Sequence, residues 1–568
     1  MSSTEREPLL ASTSKKTTGV AENVVVVASV PIPPAEAEIP KDLNQVSRRK
    51  LVWILGALWI AVFLGAMDGT IVATLQQPIG DYFKQSHKAS YIGTSYLLSI
   101  CCFTPLYGRL SDILGRKGAM LLAMFLFTFG TLLCGIAQSM EALIAARTIA
   151  GMGGGGLMSV SSITVTDLIP LRNRGLFQGL ANIMFGAGAG VGGPLGGFIA
   201  DTFGWRTAFL FQIPFLLIAS ILIAIHVDIV LPRAPLTLKQ KLTRIDWLGS
   251  VTLVGFVSGL LVALNLKETD ELMWSDRRVY GLLVASALSL CTFVFVESKV
   301  SPEPVMPMKL LLSRTPLSVA LTNFFGSIVS FSVLFNIPLY FMAVRLQTAS
   351  EAGLHLLPNS VALSVGSVGA GVIMRHTGKY YWLTLGSTFL SLVATILIAR
   401  WDQVGPSQIH SWIDIVPNGL GSASTLTSTL IAIIACVSRE DMAVATGITY
   451  LFRTTGQVLG VSLSGTIFQT VLMSKLREKI QGPNAPEIIE AVRRDASIVR
   501  TLEGAQRQAA VESFALALRV VFYCQVAMAL LAIICALPIE ERTLPGSHEE
   551  HDKHRREREN TNRSTDEA

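Results

Sequence analysis

Charged side chains are scarce in this chain. Asp, Glu, Lys and Arg make up 15% of 568 residues, where an ordinary soluble protein carries about 25%. That excludes a conventional soluble domain. The formal net charge of +6 is small and spread over links between apolar runs, which excludes a basic nucleic-acid-binding surface. Cysteine is sparse too. All seven cysteines (Cys101, Cys102, Cys134, Cys291, Cys436, Cys524 and Cys535) fall within apolar runs. None has C-x-x-C or Cys/His spacing, so they read as small buried residues and not as a disulfide framework or a metal site. No nucleophile–base constellation is visible either, which argues against an enzyme. The first apolar run begins near Leu51, behind a polar stretch, so no cleaved leader is expected. Residues 1–50 are rich in Ser, Thr, Pro and Glu and read as a disordered tail, with Val24–Val27 too short to span a bilayer. A second charged tail is expected from 540 to 568.

Apolar runs are what the chain has in abundance: 51% of residues are hydrophobic and mean hydropathy is +0.51. Fourteen runs reach the roughly 17–25 residues that cross a bilayer. They begin near Leu51, Tyr91, Gly118, Ala142, Phe177 and Thr207, then near Trp247, Tyr280, Leu317, Gly353, Tyr381, Trp412, Val444 and Phe514. An all-α polytopic membrane protein follows. An even number of spans places both tails on one side. Arg48, Arg49 and Lys50, Arg172 and Arg174, Lys239, Lys241 and Arg244, Lys309 and Arg314, Arg375 and Lys379, and Arg439 all fall in links on that side, making it cytosolic by the positive-inside tendency. The long link at about 474–512 mixes both charge signs and is read as a non-cytosolic amphipathic subdomain.

One link stands out. Gly108-Arg-Leu-Ser-Asp-Ile-Leu-Gly-Arg-Lys117 is read as a tight charged turn between two spans. Gly108 and Gly115 permit backbone turns that a side chain would block. Asp112 can pair with Arg109, Arg116 or Lys117, or the cations can meet helix C-terminal carbonyls. Such a cluster can latch one bundle against another and release it. A weaker echo occurs at Gly371-Val-Ile-Met-Arg-His-Thr-Gly-Lys-Tyr380. The glycines of Gly179–Gly197 are likewise echoed at Gly456–Gly465. Both echoes lie eight spans later. Two six-span halves with spans 7 and 8 inserted between them account for that offset, and repeated halves around a central cavity are a transporter architecture. The implied divisions are 51–232 for the first half, 233–314 for a linker with the inserted helices, and 315–539 for the second half.

Three further features carry chemistry. Asp68 lies in Gly65-Ala-Met-Asp-Gly-Thr-Ile-Val-Ala-Thr74, about 25 Å along the helix axis from Leu51. A carboxylate at that depth is costly unless it faces a wet cavity or a partner. Loss of water favours the neutral form, as a proton carrier requires. A structural reading, Asp68 pinning a kink at Gly69 and Thr70, stands beside it. Arg147 opens Arg147-Thr-Ile-Ala-Gly-Met-Gly-Gly-Gly-Gly156. It needs an acceptor, either an acid in a coupling role or carbonyls loosened by the glycine run. Gly151–Gly156 has no preceding strand and no following Gly-Lys-Ser/Thr, so it is not a nucleotide loop. Span 5 reads Gly186-Ala-Gly-Ala-Gly-Val-Gly-Gly-Pro-Leu-Gly-Gly197. Gly188/Gly192, Gly192/Gly196 and Gly193/Gly197 are small-xxx-small pairs that permit close helix approach, and Pro194 is expected to bend the helix. A pliable helix at the interface between bundles is the expectation.

Together the Gly108–Lys117 link, Asp68, Arg147 and the span 5 Gly-Pro-x-x-Gly-Gly element resemble the major facilitator superfamily, in particular its drug:proton antiporters with 14 spans. One departure is Ala189, where that family usually has Gly four residues before the Gly-Pro. Tyr91-Ile-Gly-Thr-Ser-Tyr-Leu-Leu98, Cys102–Asp112 and Thr166-Asp-Leu-Ile-Pro-Leu-Arg172 are most similar to fungal vacuolar basic amino acid transporters. The resemblance implies a major facilitator fold and a proton-driven antiporter without a cofactor or metal. It would move basic amino acids, a small and cationic substrate, from cytosol to vacuole, with Asp68 binding the proton or the substrate, Arg147 tuning it and Gly108–Lys117 gating. The alternative is a plasma-membrane pump for drugs or a secreted metabolite. Glu5, Leu9 and Leu10 form an acidic dileucine pattern, which adaptors read to sort proteins to vacuoles.

Overall fold

The computed structural model describes residues 47–85, 88–229, 246–269, 275–301, 304–347, 349–401, 408–438, 441–481, 485–494, 496–542 and 544. The dileucine residues Glu5, Leu9 and Leu10, and the basic residues Lys239, Lys241, Arg244 and Arg439, lie outside them. Among the described residues there is no strand, and 14 helices are long and apolar enough to cross a membrane. In chain order the first seven are α1 (Arg48–Gln76), α2 (Tyr91–Leu114), α3 (Arg116–Ile136), α4 (Met140–Leu168), α5 (Asn173–Phe203), α6 (Trp205–His226) and α7 (Trp247–Leu264). The others are α8 (Arg277–Val300), α9 (Arg314–Ala343), α10 (Glu351–Thr377), α11 (Tyr381–Ala399), α12 (Ile409–Cys436), α13 (Met442–Lys479) and α14 (Gly504–Ala536). The protein is a multi-pass membrane protein of two six-helix bundles, α1–α6 and α9–α14, plus the additional pair α7 and α8.

Packed apolar clusters show this division. One runs from Ile54 to Val227 and holds the first bundle together. Another runs from Val329 to Ala529 within the second. A third joins Leu253, Val257 and Leu261 of α7 and Phe293 of α8 to Cys101 and Cys102 of α2 and to Val444 and Ile448 of α13. The extra pair therefore leans on the seam where the bundles meet. Outward faces carry large apolar side chains, such as Phe125, Leu288 and Phe389, each more than half exposed, as a surface solvated by lipid requires.

Glycines set the closest helix approaches, and they expose the internal repeat. A Cβ at Gly188 or Gly192 of α5 would strike the Phe63 or Met67 carbonyl of α1. A Cβ at Gly456 or Gly460 of α13 would strike the Phe324 or Ile328 carbonyl of α9 in the same way. Helices eight spans apart thus repeat one contact. Helix α5 lies at the interface between bundles as expected, where Gly179 abuts Ser367 of α10, but within its motif Gly188, Gly192 and Gly196 face α1 of their own bundle. Gly193 only reaches ordinary contact with Thr74, and Gly197 faces open space. The helix also continues unbroken through Pro194, which is exposed.

Three boundaries differ from expectation. Helical structure in α2 continues to Leu114 and α3 starts at Arg116, so the Gly108–Lys117 link is mostly helix with one break, Gly115 at φ +84°. The charges marked the polar end of a helix, not a loop. Helix α14 begins ten residues before Phe514, because Arg507, Gln508 and Glu512 ride on a helix that outruns its apolar run. The link before it holds a helix at Ala485–Arg494 and a turn at Ala496–Arg500, which bury Ile489, Val492 and Val499 against the second bundle. Finally, Glu540–Arg542 and Leu544 belong to the fold, not to a tail. The Glu541 carboxylate accepts the Tyr380 and Tyr381 amides at 2.9 and 3.0 Å, capping α11. The Leu544 amide donates to the Gly378 carbonyl at 3.0 Å.

Candidate functional site

The structure brings Asp68 and Arg147 together. Arg147 Nη1 donates to Asp68 Oδ2 at 2.6 Å, and both side chains are fully buried. Local sequence explains the placement. The glycine run that follows Arg147 lets α4 wedge between α2 and α3. A Cβ at Gly151 would lie 2.5 Å from the Tyr96 carbonyl, one at Gly154 2.8 Å from the Tyr96 hydroxyl and one at Gly155 2.7 Å from Thr104 Oγ1. On the other side, Gly153 abuts Phe127 and Ala123 of α3. Squeezed against α2, Arg147 stacks its guanidinium 4.1 Å above the Tyr96 ring and donates from Nε to the Ile92 carbonyl at 3.4 Å. The glycine contacts of α5 against Phe63 and Met67 hold α1 in register, and Asp68 follows directly on that contact.

Two observations refine this cluster. Gln212 of α6 donates to Asp68 Oδ1 at 3.3 Å, a partner without a signal in the sequence because a single amide in an apolar span has many possible uses. Arg147 Nη2 and Gln212 Oε1 are buried without a hydrogen-bond partner. The ion pair is therefore incompletely satisfied, the condition under which a buried charge is held least firmly. The sequence alternatives for Asp68, a helix kink, and for Arg147, carbonyls alone, give way to direct pairing.

The spacing of charges in Gly108–Lys117 also resolves into geometry. Arg116 is buried in two ion pairs, from Nη1 to Asp112 Oδ1 at 2.6 Å and from Nε to Asp167 Oδ2 at 2.6 Å, and Nη1 also donates to Ser111 Oγ at 3.2 Å. Asp167 sits in the Thr166–Arg172 string but was not among the expected partners. Arg109 does not join this cluster. Its Nε donates to the Pro304 carbonyl at 2.7 Å, tying α2 to the segment after α8. Lys117 makes no side-chain bond among the described residues. Glycines then close the interface at this end. A Cβ at Gly108 of α2 would lie 2.9 Å from the Ala443 carbonyl of α13. A Cβ at Gly371 of α10 would lie 2.6 Å from the Gly175 carbonyl of α5. The paired motifs therefore make paired contacts across the two bundles. Asn182 of α5 adds a hydrogen bond to Ser367 of α10 at 2.7 Å.

A cavity of about 120 Å³ lies between α5 and the second bundle. Its polar lining includes Asn182, Thr322, Asn323, Ser422, Arg453 and Gln457. Neither Asp68 nor Arg147 lines it. Arg453 of α13 carries the same sequence signal as Arg147, an arginine within an apolar span. Among the described residues no group of three or more His, Cys, Asp or Glu could hold a metal ion.

The chain's relatives agree with this architecture. Residues 58–461 match the family model described as Major Facilitator Superfamily. The multidrug resistance protein fnx1 of Schizosaccharomyces pombe is 40% identical over 89% of this chain and 95% of its own. The vacuolar basic amino acid transporter 1 of Saccharomyces cerevisiae is 34% identical over 78% of this chain and 83% of its own. Among solved structures, the proton:xylose symporter XylE superposes with a TM-score of 0.56 at 13% identity, covering 87% of this chain and 98% of that one, a likeness of fold alone. With two bundles joined by glycine contacts, a cavity between them and a family match across both, this chain belongs to the major facilitator superfamily and is a transporter of small molecules, not an enzyme.

Proposed function

We propose that the protein is a proton-coupled antiporter of the vacuolar membrane that carries basic amino acids from cytosol to lumen. The observation that carries the coupling is the buried Asp68–Arg147 pair. Protonation of Asp68 removes the charge that holds Arg147 Nη1, and leaves a guanidinium with one unpartnered nitrogen in search of other acceptors. A pair between α1 and α4 that forms and breaks with a proton gives the first bundle two internal arrangements, and alternating access needs such a two-state element. Asp68 is sealed away from the cavity, so the proton role is proposed for it and the substrate role is not. The cluster around Arg116 serves as the gate, since it stabilises the end of α2 that meets α13. Vacuolar location and basic amino acids follow the relative of that name, together with the dileucine pattern at Glu5, Leu9 and Leu10.

The test is ATP-dependent uptake of labelled lysine and arginine into vacuoles isolated from cells with and without this protein. Uptake that is indifferent to the protein would overturn the substrate assignment. A normal rate for Asp68→Asn would overturn the coupling role. A second reading, drug efflux at the plasma membrane, is favoured by the 40% identical multidrug resistance protein. A fluorescent fusion with and without Leu9→Ala and Leu10→Ala separates the two. Plasma-membrane fluorescence of the unaltered fusion favours efflux, and vacuolar fluorescence lost in the double variant favours the sorting signal.

A further inference from the structure

Arg453 is the charged group of the central cavity. It lies about 16 Å along α13 from Met442, roughly halfway across a ~30 Å hydrocarbon core. It lines both the main cavity and the smaller recess that continues from it toward Gln178 and Tyr450. The lining of both contains no aspartate or glutamate. Within the described structure Arg453 makes no ion pair, and its guanidinium only approaches the Tyr450 ring, 5.6 Å from the centroid. Arg109, Arg116 and Arg147, by contrast, each meet a carboxylate or a carbonyl. A guanidinium held at mid-membrane without an acceptor is strongly unfavourable, and its five donors form a fork that fits a carboxylate. Next to it the lining offers hydroxyls and amides. Among them the Thr322 hydroxyl is fully buried and lacks a partner.

We infer that the cavity holds its substrate by a carboxylate, docked on Arg453, and that it holds no cationic group by ion pairing. This inference rests on the amino acid reading above and sharpens it. The α-carboxylate is the recognised group, common to all amino acids. A basic side chain is accommodated by the neutral oxygens of Asn182, Asn323, Gln457 and the hydroxyls. Cationic amphiphiles that lack an acid group, a common type of drug, find a like charge instead of a partner in this cavity.

Matched pairs of ligands test it on the purified full-length protein in lipid nanodiscs. Each pair is an amino acid and the amine left by removing its carboxylate: lysine and cadaverine, arginine and agmatine, leucine and isopentylamine. Hexanoate serves as a carboxylate without an amine. Binding is read by ligand-induced thermal shift and titrated for affinity. The expected result is that carboxylates stabilise the protein and their decarboxylated partners do not. Arg453→Gln should weaken carboxylate binding about tenfold to a hundredfold, the scale of a charge-assisted hydrogen bond, and Arg453→Lys should retain part of it. Without ligand, Arg453→Gln should melt no lower than the unaltered protein, because it removes an unpaired charge. A lower melting point would assign Arg453 a structural role and overturn the inference. So would amines that bind as well as their parent acids, or carboxylates that bind Arg453→Gln as well as the unaltered protein, or the absence of a shift with every carboxylate. Should hexanoate bind through Arg453 while no amino acid does, the carboxylate site stands and the amino acid reading fails.

Discussion

Replacing Gly371 by alanine should drive the protein toward the conformation open at the Gly115 end. A Cβ there would lie 2.6 Å from the Gly175 carbonyl carbon and oxygen and from the Leu176 amide nitrogen. All three are main-chain atoms, so no rotamer change relieves the contact. Carbon–carbon contacts settle at about 3.5–4.0 Å, so α5 and α10 would have to part by about 1 Å. Overpacking of this kind costs about 1–3 kcal/mol, which shifts a two-state equilibrium by about 5–150-fold. The clash exists only while the bundles touch, and so it penalises one conformation selectively. Gly369→Ala is the control. Nothing lies within 4 Å of its Cβ, and the gain of up to about 1 kcal/mol from losing a helical glycine applies to both conformations. Hydrogen exchange followed by mass spectrometry on the reconstituted protein should show faster exchange in the 175–186 segment of α5 and the 364–374 segment of α10 for Gly371→Ala alone. Superimposable exchange profiles for the two variants would refute the idea that this glycine contact closes the interface.

Asp68→Asn leaves Arg147 buried and uncompensated and should lower stability by about 3–5 kcal/mol, whereas Asp68→Asn combined with Arg147→Met should recover much of the melting temperature without recovering transport. Thermal unfolding and vesicle uptake of both variants check this, and full uptake by the double variant would contradict the coupling role. Arg116→Gln and Asp167→Asn should each loosen the end of α2 and combine with a coupling energy of about 0.5–3 kcal/mol, measured by a double-mutant cycle on unfolding. Gly192→Ala drives a Cβ into Thr70 and the Met67 carbonyl and should reduce the folded yield on size-exclusion chromatography, while Gly190→Ala, with open space around it, should leave the yield unchanged. Glu541→Gln leaves one oxygen to accept from the Tyr380 and Tyr381 amides, sets an NH2 donor against the other and removes the charge. It should cost about 1–3 kcal/mol, visible as a fall in melting temperature.

The spans were legible because bilayer solvation demands long apolar runs: the expected starts at Trp247 and Tyr381 coincide with helix starts, and the one at Tyr91 falls two residues after one. Hydropathy reports the bilayer and not the helix, so Gly108–Leu114 and Gly504–Ser513, which are polar but helical, were read as links. Asp68 and Arg147 were each visible as charges in apolar surroundings. That they meet depends on how closely α1, α4 and α5 approach, which the glycine runs permit but do not specify. Asp167 and Gln212 had no distinguishing pattern. Glu541 looked like one charge among many in a tail, and its capping role depends on Tyr380 lying about 160 residues earlier in the chain. The glycine repeat showed that two halves exist, but which glycines face a neighbour in the same bundle and which face the other bundle emerges only from the packing.

Among the described residues, the fully buried ion pair of the first bundle has no fully buried ionic counterpart in the second. Inside the second bundle, Gln525 of α14 donates to Ser332 of α9 at 2.7 Å and Asn336 of α9 donates to Ser464 of α13 at 3.1 Å, a network of neutral groups. The second bundle in turn supplies most of the cavity wall. The two halves of the duplicated frame are thus free to change independently. Substitutions along α9–α14 can retune which cargo fits while the Asp68–Arg147 pair in α1 and α4, the proposed site of coupling, stays untouched. Relatives on this frame can diverge in cargo, yet keep a common drive.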